Sequence, residues 1–321
     1  MTFRLGYVAM TLHLEDCSPS GTVTFSHLSK MTDEKARLFK LRQVTKKNLE
    51  NTLRILKYNK ALNIPVYRLT SRLVPLATHP ATAHWDYIAD FQKEFTAIGD
   101  FIKENAFRVS AHPDHFTLIN ASDPKVLEAS IGDLNYHVRL FEAMGLNDYR
   151  YKLVLHVGGL YKNKADSIGR FKENFFKLQD SIRKRIILEN DDKSYTARDV
   201  LSLCRELEVP MVMDIHHFQC ANDGEALGDI LPAAFNTWAG QAFPPKVHFS
   251  SPKSPKAFRS HADNIDTASF VEFLEVARKS GRDFDVMLEA KNKDTALIQL
   301  SNDLSAMKFL ERVNLGEFTF L

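Results

Sequence analysis

The sequence predicts a single (β/α)8 barrel over residues 1–321. Three observations predict it. Short apolar runs rich in β-branched residues alternate strictly with longer amphipathic stretches, which implies parallel strands joined by helical crossovers. Eight such units in 321 residues match the usual span of this barrel. A doubly wound sheet would carry a Gly-rich phosphate turn after its first strand, and none is present.

The elements follow in order along the chain. Arg4–Met10 reads as the first strand, and Thr32 as the cap of a helix running toward Leu62. Strand Val66–Leu69 precedes helix Asp86–Asn105, and strand Arg108–Ala111 precedes helix Pro124–Met144. Asp123-Pro124 is a strong start signal, a capping side chain followed by proline at the first helical position. Strand Leu153–Val157 pairs with helix Ala165–Leu178, Ile186–Glu189 with Ala197–Leu207, and Met211–Asp214 with Ala226–Phe235. Lys246–Phe249 and Asp285–Glu289 complete the strands, followed by helices Ala268–Arg278 and Asp294–Arg312. No repeat or low-complexity linker divides the chain.

Composition excludes several classes. With 44% hydrophobic and 26% charged residues the chain is neither disordered nor fibrous. Three cysteines (Cys17, Cys204, Cys220) without a CxxC pair make a disulfide framework or a cysteine zinc site a poor reading, and suggest a reducing compartment. The N-terminus is polar too early for a signal peptide, and no run approaches a membrane span. The expectation is a cytoplasmic protein, nucleoid-associated if bacterial, monomeric, with no membrane contact and no nucleotide cofactor.

The strand ends carry the chemistry. Catalytic groups of such barrels come from the C-terminal ends of the strands and the loops just beyond. Strands three to eight all end in His, Asp or Glu: His112, His156, Glu189, Asp214 with His216-His217, His248 and Glu289. A lone polar residue at a strand end is more often a satisfied hydrogen-bonding group than a ligand. Six together, pointed by barrel closure at one pocket, are different: clustered acids there need compensating cations. Imidazole and carboxylate without thiolate suit Mn²⁺, Zn²⁺ or Fe²⁺. The candidates His112, His156, Glu189, Asp214, His217, His248, His261 and Glu289 are too many for one tetrahedral ion. Two or three ions bridged by carboxylates fit better, and such sites act on phosphoryl groups.

Charge distribution points to a polyanionic partner. The net charge is only +2, which by itself argues against nucleic acid. It conceals blocks: residues 30–60 and 150–188 each hold ten Lys/Arg against three acids, whereas 189–229 holds three against ten. A basic run on an outer helix is usually just a solvated face. The loop 250–261 is more telling, because it follows strand seven and carries Lys253, Lys256 and Arg259 among serines with no acid. Such groups contact phosphates without reading sequence. Tyr7, Met10, Thr11, Leu12, His115 and Phe116 lie near the same mouth, where aromatic and apolar side chains can stack on bases or wedge a duplex.

These motifs, in this order, resemble the ultraviolet damage endonuclease family over essentially the whole chain. The resemblance is carried by Arg4-Leu5-Gly6-Tyr7, Thr78-His79-Pro80, His112-Pro113, Leu155-His156-Val157-Gly158-Gly159 and Leu188-Glu189-Asn190-Asp191. Asp214-Ile215-His216-His217, Lys246-Val247-His248 and Glu289-Ala290-Lys291 complete it. It implies a (β/α)8 fold related to endonuclease IV and a cluster of three Mn²⁺ ions, with Zn²⁺ or Mg²⁺ as alternatives. His112 and His156 would hold one ion. Glu189 would bridge to a second, held also by Asp214, His248 and Glu289, and His217 and His261 would hold the third. The resemblance places Tyr7 and His79 beside the cluster as catalytic residues with Glu189 and Lys246, and implies that Lys246 is carboxylated. His115-Phe116 stands where some relatives have Gln-Tyr, and Thr11 where some have Asn; with Lys253, Lys256 and Arg259 these are the expected DNA contacts.

The expected activity is nicking of damaged duplex DNA immediately 5′ to ultraviolet photoproducts, and to abasic sites, leaving a 3′-hydroxyl and a 5′-phosphate. Two competitors remain open on the residues alone. A metal-dependent sugar isomerase or epimerase shares the ligand types but does not need the acid-free basic loop. A non-catalytic damage-binding protein would need metals only for structure, and structural sites are normally closed by four ligands.

Overall fold

The structure, a computed structural model, describes residues 1–321. Eight parallel strands close into a barrel: β1 (Thr2–Val8), β2 (Val66–Leu69), β3 (Arg108–Ala111), β4 (Lys152–His156), β5 (Ile186–Glu189), β6 (Met211–Asp214), β7 (Lys246–Phe249) and β8 (Phe284–Leu288). Pairing of β1 with both β8 and β2 closes the ring. Around it lie α1 (Phe25–Leu28), α2 (Glu34–Ala61), α3 (Tyr87–Asp90), α4 (Gln92–Glu104), α5 (Pro124–Ala143) and α6 (Lys164–Lys177). The ring continues with α7 (Asp180–Arg183), α8 (Ala197–Leu207), α9 (Ile215–Cys220), α10 (Leu227–Asn236), α11 (Thr267–Arg278) and α12 (Lys293–Leu304). No helix is long and apolar enough to cross a membrane.

Several expected boundaries are corrected. The first strand stops at Val8 rather than Met10, because Ala9 takes a left-handed φ of 63° that leaves the extended region. Helix Asp86–Asn105 divides at Phe91 into α3 and α4. The expected helix Asp294–Arg312 ends at Leu304, and the chain then forms an antiparallel hairpin, β9 (Leu310–Asn314) and β10 (Glu317–Phe320). β10 pairs with Thr2–Arg4 of β1, the part of that strand that β2 does not reach. The hairpin thereby satisfies backbone groups that barrel closure leaves open. It also stacks Phe318 on Phe3, with ring centroids 5.3 Å apart.

The barrel interior is divided. Val154, Ile187 and Val212, from β4 to β6, form a small apolar cluster floored by Trp238. Polar residues from β1, β2, β3, β7 and β8 fill the other half. Arg4 is paired with Asp285 at 2.7 Å, and Asp285 also receives Arg108. Arg108 lies over the Trp238 ring at 5.0 Å. Lys246, fully buried above them, donates to Ser110 Oγ at 2.9 Å. Burial, together with the nearby Arg108 and Arg68, drives the Lys246 amine well below the ordinary lysine range. Gly6 is the one interior position of β1 without a side chain, because a Cβ there would lie 2.4 Å from the Val66 carbonyl oxygen. We expect Gly6→Ala to cost about 1–3 kcal/mol through overpacking between β1 and β2. Urea unfolding of the two proteins measures it, and an unchanged midpoint would refute the close approach.

Candidate metal centre and strand-end site

Parity along the strands decides which side chains meet. Asp214 and His248 are in register on β6 and β7, as are His156 and Glu189 on β4 and β5, so all four project to the interior. The ligand atoms of His112, His156 and Glu189 lie within 4.8 Å of one another, and so do those of Glu189, Asp214, His248 and Glu289. Glu189 belongs to both groups. Its carboxylate is 3.0 Å from His112 Nε2 and 2.8 Å from His248 Nδ1. His217 Nδ1 lies 3.7 Å from both Glu189 and Asp214. His261 faces His217, with ring centroids 6.4 Å apart.

The residues fit metal ions by their hydrogen bonding. His112, His217 and His261 each place Nδ1 at 2.9–3.0 Å from a backbone carbonyl, of Pro113, Asn190 and Glu289 respectively. A carbonyl only accepts, so Nδ1 carries the proton and Nε2 keeps its lone pair, the tautomer that metal-binding histidines use. Buried atoms without any partner point the same way: Asp214 Oδ2, His248 Nε2 and His156 Nδ1. Asn190 supports the site from behind. Its side chain accepts from the Asp214 amide at 2.9 Å and donates to the Asp214 carbonyl at 3.0 Å, tying β5 to β6.

Electrostatics show how the acids are tolerated. Burial raises the Glu189 carboxyl, but His248, His156 and His112 outweigh it and hold the group well below the usual range. Burial and the neighbouring Glu189 push Asp214 well above the usual range, against the pull of His217. His217 is opposed by burial, yet Asp214 and Glu189 raise it to about 9. Burial takes His248 down to about 4. Without metal, a proton on His217 therefore balances charge that a bound cation would otherwise balance.

The remaining expected residues divide. His115 and Phe116 are exposed on the loop after β3, rings 3.9 Å apart, and the Phe116 ring is 70% accessible. His115, His156 and the loop after β5 line one pocket of about 320 Å³. Lys253, Lys256 and Arg259 are exposed on the loop after β7, which a bridge between Pro252 and His261 closes. Arg259 lies 3.8 Å from Asp192 across the mouth. Two expectations are corrected, those for Tyr7 and Thr11. Tyr7, expected beside the cluster, faces outward, because Gly6 takes the interior place; its hydroxyl donates to Asn59 Oδ1 on α2 at 2.6 Å. His79 stacks on Phe25 at 4.3 Å and accepts from the Ala81 amide, capping a short turn. Thr11 is buried and bonded to Asp294, so its side chain is not presented to a ligand.

Sequence reasoning missed Arg68, which pairs with Glu289 at the rim. Burial alone would raise the Glu289 carboxyl; Arg68 and His248 overcome it and drive the group far down. The available signal was its place two residues after Val66, on the same strand face. Asp294 was also missed as a structural anchor: it receives Thr11, the Leu12 amide at 2.8 Å, His13 at 2.7 Å and Tyr58 at 3.0 Å.

Comparison with known proteins then places the chain. The model of the UV-endonuclease family matches residues 3–320. The chain belongs to this family. It is 45% identical over 314 residues to proteins named UV DNA damage endonuclease from Bacillus thuringiensis subsp. konkukian (strain 97-27) and Bacillus cereus (strain 03BB102), covering 98% of each chain. Among solved structures, SacUVDE superposes with a TM-score of 0.84 at 31% identity, over 94% of this chain and 98% of that one. Endonuclease IV from Thermus thermophilus superposes at 0.51 with 15% identity, covering 88% of this chain and 91% of that one. The 3-keto-D-glucoside 4-epimerase YcjR from E. coli superposes at 0.52 with 12% identity, covering 75% and 88%. The last two show a shared barrel and nothing about chemistry.

Removing the support behind the candidate cluster around Glu189 and Asp214 tests its construction. We expect Asn190→Ala to weaken Mn²⁺ binding about 10–100-fold while the fold is kept. Calorimetric titration of the metal-stripped protein measures it; unchanged affinity would show that Asn190 does not orient Asp214.

Proposed function

We propose that this chain is a metal-dependent DNA repair endonuclease that nicks the damaged strand 5′ to ultraviolet photoproducts, and to abasic sites, leaving a 3′-hydroxyl and a 5′-phosphate. The observation that carries the reading is the sharing of buried Glu189 between two ligand groups at the barrel mouth, beside the exposed His115-Phe116 pair. The names of the Bacillus relatives supply the substrate class.

In this reading His112, His156 and Glu189 hold one Mn²⁺, and Glu189, Asp214, His248 and Glu289 a second. His217 and His261 hold a third. Ions bound there would polarise a phosphoryl oxygen and lower the pKa of water. The protein's own groups do the rest. Lys253, Lys256 and Arg259 contact backbone phosphates, placing the duplex across the mouth. Phe116 offers an exposed ring to stack where a base pair is weakened, and His115 offers a ring nitrogen to an unpaired base. A lesion that has already lost stacking costs less to open, so recognition follows from the damaged duplex itself. Arg68 holds Glu289 in its ligand position, and Lys246 is carboxylated in the working enzyme; burial lowers its amine well below the ordinary lysine range, which favours the neutral form that reacts with carbon dioxide.

An irradiated duplex oligonucleotide with Mn²⁺ tests the proposal. Strand-specific nicking should be abolished by chelation and by Glu189→Ala, and absent on undamaged duplex. Phe116→Ala should lower kcat/KM on the irradiated duplex by about 5–100-fold through lost stacking. Equal cutting of both duplexes, or activity surviving in Glu189→Ala, would overturn the assignment.

A further inference from the structure

The opposite end of the barrel carries a feature that the nuclease reading does not use. Lys152 begins β4, four residues before His156, and therefore lies at the floor of the barrel. Its side chain is interior, only 7% exposed, with no carboxylate within 4.0 Å; its ammonium donates to the Lys184 carbonyl at 3.0 Å. Beside it Arg185, 1% exposed, is bonded to the backbone carbonyls of Leu146, Asp148 and Tyr151 and to no acid. Burial, with Arg185 and Arg108 nearby, lowers the Lys152 amine to about 8. Buried cations are normally paired. This pair is not.

Lys152 opens into a floor pocket of about 500 Å³. Arg183 and Lys184 line the same pocket, sharing Asp180 as their only acid. Two aromatic walls face the space. Tyr149 is exposed, and the Phe176 ring is 59% accessible, set edge-on to Phe175 at 5.7 Å. Glu208, exposed at the end of α8 in a left-handed conformation (φ 55°), lines the same pocket. An anion-seeking wall, a stacking wall and a carboxylate acceptor together match a ligand with a phosphate, an aromatic base and sugar hydroxyls.

We propose that this floor pocket binds a nucleoside monophosphate, with Lys152 and Arg183 on the phosphate, Phe176 and Tyr149 against the base and Glu208 accepting from the ribose hydroxyls. The site lies at the opposite end of β4 from the strand-end cluster.

Calorimetric titration of the metal-loaded protein with AMP, adenosine and inorganic phosphate tests it. AMP should bind saturably to one floor site, and its affinity should fall at least tenfold in Lys152→Met. Phe176→Ala, which alters an exposed ring, should lose several-fold with unchanged thermal unfolding, so the test holds even if Lys152→Met folds poorly. Glu208→Ala should weaken AMP but leave inorganic phosphate unaltered. Binding should persist in Glu189→Gln, which separates the floor from the mouth. No saturable AMP binding would overturn the proposal. So would AMP affinity unchanged in Phe176→Ala, or inorganic phosphate binding as tightly as AMP, which would mark an unspecific anion site.

Discussion

The mouth of the barrel is organised round one carboxylate. Glu189 is fully buried at the end of β5, and an isolated ion there would cost several kcal/mol to desolvate. His112 and His248 within 3.0 Å, and His156 and His217 at 3.7 Å, offset that cost. The same convergence makes Glu189 the member common to both ligand groups. Asn190, immediately after it, orients Asp214 through its side chain and His217 through its carbonyl. Displacing Glu189 would therefore disturb four strands at once.

That arrangement depends on an interior built in two unlike halves. Val154, Ile187 and Val212 give β4 to β6 an apolar wall that fixes strand spacing below the cluster. The other half is a polar column in which Arg4, Arg108 and Asp285 neutralise one another, with Lys246 above. Buried ion pairs of this kind add little net stability against an apolar core of equal volume. Their consequence here is electrostatic: burial first, and then the nearby Arg108 and Arg68, push the Lys246 amine well below the ordinary lysine range.

The exposed loops after β3 and β7 have bases that are tied down. The loop after β3 is pinned to α5 by Leu118 on Ser130 at 2.8 Å and Thr117 on Asp133 at 2.5 Å, leaving His115 and Phe116 free at the tip. The basic loop after β7 is closed by the Pro252–His261 bridge, so His261 and the exposed Lys253, Lys256 and Arg259 share one frame. Segments already ordered by folding lose little further entropy on binding.

The sequence by itself determined the barrel and the His, Asp and Glu residues that crowd its strand ends. β2, β3, β5, β6 and β7 have the expected bounds, because buried parallel strands are continuous apolar runs that stop where polar ligands begin. Six of the eight candidates, His112, His156, Glu189, Asp214, His248 and Glu289, stand at or just beyond strand ends and are brought together there. What the tertiary structure alone decided was direction and partnership. Gly6, forced small by the Val66 carbonyl, turns Tyr7 outward to Asn59, and Asp294 captures Thr11 from a distant helix. The C-terminal hairpin was illegible because its short strands gain stability only from pairing with β1 across more than 300 residues of chain. Contacts this remote in sequence leave no local periodicity, so Arg68 on Glu289 and the unpaired Lys152 at the floor emerge only once the barrel has closed.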